Sequence, residues 1–122
     1  MKLTITGNVP SQKNGKRIVK QGNRTLVISN QRVLDWKRAA IIELKNQFRG
    51  LVVTDYPISL VLIFYFDNKR RHDLDNAAAG VMDALTDAEI IEDDNVNFVD
   101  CITLQYGGID KTNPRVEVFL DE

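Results

Sequence analysis

The chain has 122 residues, 43% of them apolar, with a net charge of −1 at pH 7 and only one cysteine and one histidine. That is the size and composition of one domain around one core, with no second unit. Cys101 has no internal disulfide partner, and one Cys with one His does not make a structural zinc site, so both scaffold types are excluded and a reducing cytoplasm is expected. "KLTITGN" at the N-terminus alternates as a strand, and it is too polar for a signal peptide. "VPSQKNGKR" lacks hydrophobic periodicity and reads as a loop, and "RTLVIS" as a second strand. Ser29 or Asn30 is suited to cap the segment that follows. From Gln31 to Arg49, Val33, Trp36, Ala40, Leu44 and Phe48 recur at spacings of three and four, the mark of an amphipathic helix ended by Gly50. "ISLVLIFYF" (Ile58 to Phe66), after Pro57, is the longest apolar run. It falls far short of the roughly 20 residues that span a bilayer and reads as a strand buried on both faces. "AAAGVMDAL" predicts a second helix over 77–88 with Ala78, Val81, Met82 and Leu85 inward. "VNFVDCITLQY" is a strand, "GGIDKTNP" a turn, and "RVEVFL" a last strand with Val116, Val118 and Leu120 on one face. The order β-β-α-β-α-β-β predicts an α+β fold over residues 1–122, its helices packed on one mixed sheet.

Charge is unevenly placed. Residues 1–49 carry eleven Lys/Arg and two acids, a net of +9, and the remainder has a net of −10. A basic first third suits a polyanionic partner, although a solvated basic face has the same composition. Acids beside bases suit a phosphodiester enzyme, whose site needs carboxylates for metal and cations for phosphate.

Both are found together in "KRRHDLDNAAAGVMDAL" (Lys69 to Leu85), followed by "EIIEDDN" (Glu89 to Asn95). In extended backbone Asp73 and Asp75 project from one face and Leu74 from the other, into the core. Paired carboxylates repel unless a cation sits between them, and Mg²⁺ or Mn²⁺ is the hard ion that oxygen ligands favour. Asp93 and Asp94 are placed to add a third ligand if the helix folds back beside the strand. Lys69, Arg70 and Arg71 are the cations for the substrate's phosphates, with His72 as their neighbour, and Lys13, Lys16 and Arg17 are loop cations for DNA. A structural reading stands beside each assignment. Asp-Leu-Asp-Asn also suits a helix start, where acids cap free amides, Glu-Asp-Asp-Asn suits a solvated turn, and Trp36 suits the core.

Taken in order, "RRHDLDN", "DALTDA" (Asp83 to Ala88) and "IEDDN", with the loop "PSQKN", resemble the RusA family of Holliday junction resolvases. The resemblance implies a homodimer that binds a four-way DNA junction and nicks it in pairs with Mg²⁺ or Mn²⁺, in recombination and repair. It implies metal-binding acids at Asp73, Asp75 and Asp94, with Asp93 as the alternative to its neighbour. It also implies a lysine where this chain has Ala79. Lys13, Lys69 and Arg71 are the candidates for a relocated cation, and the alternative is a weak or inactive junction-binding protein. A phosphohydrolase acting on small nucleotides is a third reading, under which the basic N-terminal third would have no role. Phe119 with Leu26 or Val27 are the apolar candidates for a dimer contact.

Overall fold

The computed structural model describes residues 1–11, 16–29, 31–49 and 53–121. The elements run β1 (Lys2–Thr6), β2 (Lys16–Gln21), β3 (Arg24–Ser29), α1 (Gln31–Phe48), β4 (Ile58–Phe66), α2 (Leu74–Asp87), β5 (Val99–Ile109) and β6 (Arg115–Asp121). Four strands form a mixed sheet in the order β1-β6-β4-β5, with β4 and β5 parallel and the other pairs antiparallel. The α+β expectation holds, with helices set on a mixed sheet. No helix of the described residues is long and apolar enough to cross a membrane.

The apolar run at 58–66 organises the core. Ile58, Leu60, Leu62, Phe64 and Phe66 are fully buried, while the intervening residues are half-buried. The strand is therefore not buried on both faces. One face meets the helices through Ala40, Leu44 and Phe48 of α1 and Ala77, Val81, Ala84 and Leu85 of α2. Burying each large side chain there contributes about 1.5–3 kcal/mol, so the central strand is the fixed element from which the site hangs. Trp36 packs partly buried against this core, and its indole N–H has no acceptor among the described residues.

Three elements differ from the sequence reading. β2 takes Lys16 and Arg17 from the end of the expected loop and continues through residues 18–21, to which the sequence reading gave no element, and it pairs with β3 as a separate ribbon across Gly22, at φ 62°. Its lysines and arginine hide the alternation, but Gly-Asn at the turn is a hairpin signal. The second helix starts at Leu74 instead of Ala77. β5 runs through "GGI" to Ile109 instead of turning there. A Cβ on Gly107 would sit 2.6 Å from the Tyr65 ring, and Gly108 takes φ 117° at a register shift, so the glycines serve close packing and a bulge.

The two edges of the sheet are finished differently. On β1, Thr4 N–H donates to Gln47 Oε1 (2.8 Å), Gln47 Nε2 donates back to Thr4 O (2.7 Å), and Thr6 N–H and Oγ1 donate to Glu43. Side chains of α1 thus close that edge. β5 has a strand neighbour on one side only and carries exposed Ile102, Tyr106 and Ile109.

Candidate active site

The segment from β4 into α2 is held by short polar links. Asp67 N–H donates to Asn8 Oδ1 (3.0 Å), pinning the loop after β1 to the end of β4. Asn68 Nδ2 donates to Asp67 Oδ1 (2.7 Å), and Asn68 Oδ1 accepts from Arg70 N–H (3.0 Å) and lies 3.0 Å from His72 Nε2. With an oxygen acceptor facing it, Nε2 carries the proton. The imidazole lies flat on Phe66, with ring centroids 3.7 Å apart and planes 4° apart. Burial holds its pKa below the usual value; Asp67 pulls the other way, and the Arg32 and Arg70 charges add to the lowering.

Asp73 occupies the N-cap of α2 with extended backbone (φ −99°, ψ 115°), yet its side chain makes no capping hydrogen bond. A capping Asp contributes about 1 kcal/mol through such a bond, and Asp73 lacks that contribution; its charge still lies at the positive end of the helix dipole. Its side-chain partner is Arg71, whose Nε lies 3.4 Å away. Both groups are well exposed, and such a pair adds little stability. Asp75 is exposed in the first turn, and its carboxylate has no partner among the described residues. Because the helix begins at Leu74, the two acids do not share the face of an extended chain as expected. Leu74 itself packs against the core, as expected.

The other acids lie at the opposite end of α2. A helix of 14 residues is about 21 Å long at about 1.5 Å per residue. It ends in a turn in which Glu89 N–H donates to Thr86 O and Ile90 N–H to Leu85 O, burying Ile90 and Ile91. Glu92 N–H then donates to Tyr56 Oη (3.1 Å). Asp93 is used locally: Oδ1 accepts from Asp94 N–H (2.7 Å) and Oδ2 from Asn95 Nδ2 (3.2 Å). The Asp94 carboxylate is exposed, with no partner among the described residues. β5 starts beside the start of β4, with Val99 opposite Ile58. The helix does fold back beside the strand, and by doing so it carries Asp93 and Asp94 away from Asp73 and Asp75. Among the described residues no group of three or more His, Cys, Asp or Glu side chains is placed to hold a metal ion. The expectation of a third ligand from the same chain is therefore corrected.

Around Asp73 the surface is concave. A cleft of about 270 Å³ is lined by Asn8, Pro10, Ser11, Arg32, Arg70 and His72, among others. It shares Ser11, Arg71 and His72 with a smaller hollow of about 60 Å³ that reaches Asp73. Of the cations expected to meet DNA, Arg70 and Arg71 line this cleft, and exposed Lys69 lines a neighbouring one with Tyr106 and Ile109. Lys13 lies outside the described residues. Lys16 and Arg17 belong to β2, not to a loop. Asn8, Ser11 and Arg32 were missed as site residues. Their signal was present in the "NVPS" loop and in a cation on the first turn of α1, a turn that holds no acid. Ala79 is exposed on α2 and offers no charge.

Comparison with known proteins agrees with the site's composition. The family model described as endodeoxyribonuclease RusA matches residues 8–121. A crossover junction endodeoxyribonuclease RusA of Aquifex aeolicus (strain VF5) is 33% identical over 90 residues, covering 74% of this chain and 69% of that protein.

Proposed function

The chain belongs to the RusA family of endodeoxyribonucleases, and on that footing we propose that it resolves four-way DNA junctions. It does so as a metal-dependent homodimer making paired nicks, in recombination and repair. One observation carries the reading: Asp73, which makes no capping bond, lines a hollow with Arg71, and that hollow shares residues with the cleft that Arg70 lines. Asp73 forgoes its capping bond and meets only the exposed Arg71, and the Asp75 and Asp94 carboxylates have no partners among the described residues, so their oxygens are available to a hard divalent ion. Mg²⁺ or Mn²⁺ fits this all-carboxylate donor set, and when bound it would supply charge neutralisation at the scissile phosphate. Asp73 and Asp75, at the mouth of α2, would hold that ion. Arg70 and Arg71 would hold the phosphate backbone beside it. Arg71, which pairs with Asp73, is a candidate for the role that a lysine at position 79 would have filled.

The separation of the acids supports the dimer. One copy cannot close the ligand set, because α2 holds its two acidic ends apart. The open β5 edge offers a second copy a place to add, and two-fold pairing of identical edges runs antiparallel. The start of one β5, just after Asp94, then lies beside the other copy's Ile109. Ile109 pairs with Phe66 at the end of β4, close to Asp73. A second copy thus brings Asp94 toward the first copy's Asp73 and Asp75. Phe119 was one expected contact, but it lies on an inner strand under Lys2, whose Nζ is 5.8 Å from its ring. Leu26 and Val27 lie on β3, outside the four-stranded sheet.

The test is a labelled synthetic four-way junction incubated with the protein and Mg²⁺ or Mn²⁺. Symmetric paired nicks are the expected result. Tight binding with no nick under either metal would leave a junction-binding protein, and hydrolysis of mononucleotides without DNA would replace the reading with a phosphohydrolase.

A further inference from the structure

The larger cleft contains polar groups that the fold does not use, and of these only Arg70 has a part in the proposed cutting chemistry. Arg32 and Arg70 have no ion-pair or hydrogen-bond partner for their guanidinium groups among the described residues, and neither does the Ser11 hydroxyl or the Asn8 amide nitrogen. Arg115 shows what a structural arginine looks like in the same molecule. Its guanidinium meets Asp110 at 2.9 Å and Glu117 at 3.1 Å and lies 3.9 Å from the Tyr65 ring centroid. No carboxylate is among the described residues lining the larger cleft, and Arg71 alone of its arginines has an ion-pair partner, Asp73 in the adjoining hollow. The wall is also fixed in place: Asn8 is tied through Oδ1 to the end of β4, which leaves its NH₂ group to face a ligand.

We infer that Asn8, Ser11, Arg32 and Arg70 form a seat for one backbone phosphate of a DNA strand, flanking the phosphate that is cut. Three chain segments meet there: the loop after β1, the first turn of α1 and the run after β4. Two guanidiniums supply charge and planar donor forks, and the amide and hydroxyl supply neutral donors, a set that matches a phosphodiester's two unbridged oxygens. The seat opens into the hollow of Asp73 through Ser11, Arg71 and His72. A strand anchored in it is led toward the acids, and the anchored phosphate sets which bond reaches them. This deepens the proposed function and rests on it for the identity of the strand.

The experiment titrates a thymidine tetranucleotide into ¹⁵N-labelled full chain without added metal, with inorganic phosphate and dTMP as separate arms. Amide shifts at Asn8, Ser11, Arg32 and Arg70 are expected with the tetranucleotide. They should vanish in Arg32→Ala and persist in part in Arg32→Lys. Arg32→Ala should also lower the log–log salt slope of four-way junction binding by about 1, the signature of one lost phosphate contact. Arg32 is exposed, so far-UV circular dichroism of both variants should match the parent. Shifts confined to other residues, or an Arg32→Ala protein with an unchanged slope, would overturn the seat. So would dTMP binding as tightly as the tetranucleotide, because the site would then serve mononucleotides. If the parent protein does not cut junctions but the tetranucleotide still shifts the cleft, the seat stands and the proposed function falls.

Discussion

The two ends of α2 carry almost the same letters, Asp-Leu-Asp-Asn before it and Glu-Asp-Asp-Asn after it, and the fold treats them in opposite ways. At the N-terminal end the acids make no capping bond: Asp73 is at the cap without capping and pairs only with exposed Arg71, and Asp75 is exposed. At the C-terminal end Asp93 builds its own turn, holding Asp94 N–H and Asn95 Nδ2, and Asp94 alone is left over. A carboxylate that the fold does not use has no folding reason to be there. An acid that organises a turn needs no further role. The difference is the ground on which Asp94 is proposed over its neighbour as the ligand.

The largest expected effect is at the N-terminal end. Asp75→Asn keeps the shape of the side chain and removes the charge, so cleavage should drop by more than the roughly 10–100-fold typical of losing an outer-shell metal partner. Junction binding should hold or tighten, since one source of repulsion toward phosphate is gone. Gel-shift and nicking assays on the same preparation check both. A variant that cuts at the parent rate would remove Asp75 from the metal set.

The next prediction asks whether the two ends cooperate between copies. Asp75→Asn and Asp94→Asn should each be inactive alone. Mixed and re-equilibrated, about half of the dimers are heterodimers. If the ligand set is shared across copies, each heterodimer holds one intact site and one doubly altered site, and single nicks should return. If each site belongs to one chain, no mixture cuts. Asp93→Asn should behave differently from both, losing about 0.5–1.5 kcal/mol per turn hydrogen bond while keeping measurable cleavage. The reverse result, Asp93→Asn inactive and Asp94→Asn active, would exchange their roles.

A third, intermediate effect concerns the edge that is argued to bring the two ends together. Ile102→Lys with Thr103→Lys places a charge on each face of the exposed edge strand, a device that blocks strand addition. Sedimentation at micromolar concentration should shift from twice the chain mass to the chain mass, with loss of paired nicks. The same pair of lysines on a dimer that persists would move the interface away from β5. The opposite edge offers the control, since Gln47 and Glu43 already close β1.

Much of this was legible in the letters because it rests on periodicity. The spacing of Val33, Ala40, Leu44 and Phe48 marked the inner face of α1, and the alternation of Val116, Val118 and Leu120 marked the inner face of β6. What escaped was set by tertiary pairing. β2 is a strand because Gly22 lets β3 return beside it, and its own residues carry too much charge to announce it. The helix start moved to Leu74 because Asp73 can hold extended backbone while the next residue turns, a boundary that propensity leaves open by a few residues. The distance between the acidic ends was also not readable. It follows from β4 and β5 being parallel, which obliges α2 to run the length of the sheet. Arg32 was passed over because its cleft is formed by loops far apart in sequence.

The smallest expected effect tests the turn that launches the acidic segment. Glu89 has φ 62°, a left-handed conformation at the residue after the α2 cap, where glycine is the usual occupant. The turn is otherwise complete, with Glu89 N–H on Thr86 O and Ile90 N–H on Leu85 O, and it buries Ile90 and Ile91 beneath it. Holding a side chain in that region costs about 1 kcal/mol or more. Glycine removes the strain but gains freedom in the unfolded chain, which returns part of the benefit. Glu89→Gly should therefore stabilise by about 0.5–1 kcal/mol and raise Tm by a few degrees. Glu89→Val should lower Tm, because a β-branched residue tolerates this conformation least. Nicking of a four-way junction should be unchanged in Glu89→Gly, since the side chain has no place in the ligand set. A Glu89→Gly protein with lower Tm would mean that the exposed carboxylate contributes more than the backbone costs, and the C-terminal end of α2 would then be held by its charges as well as by its turn.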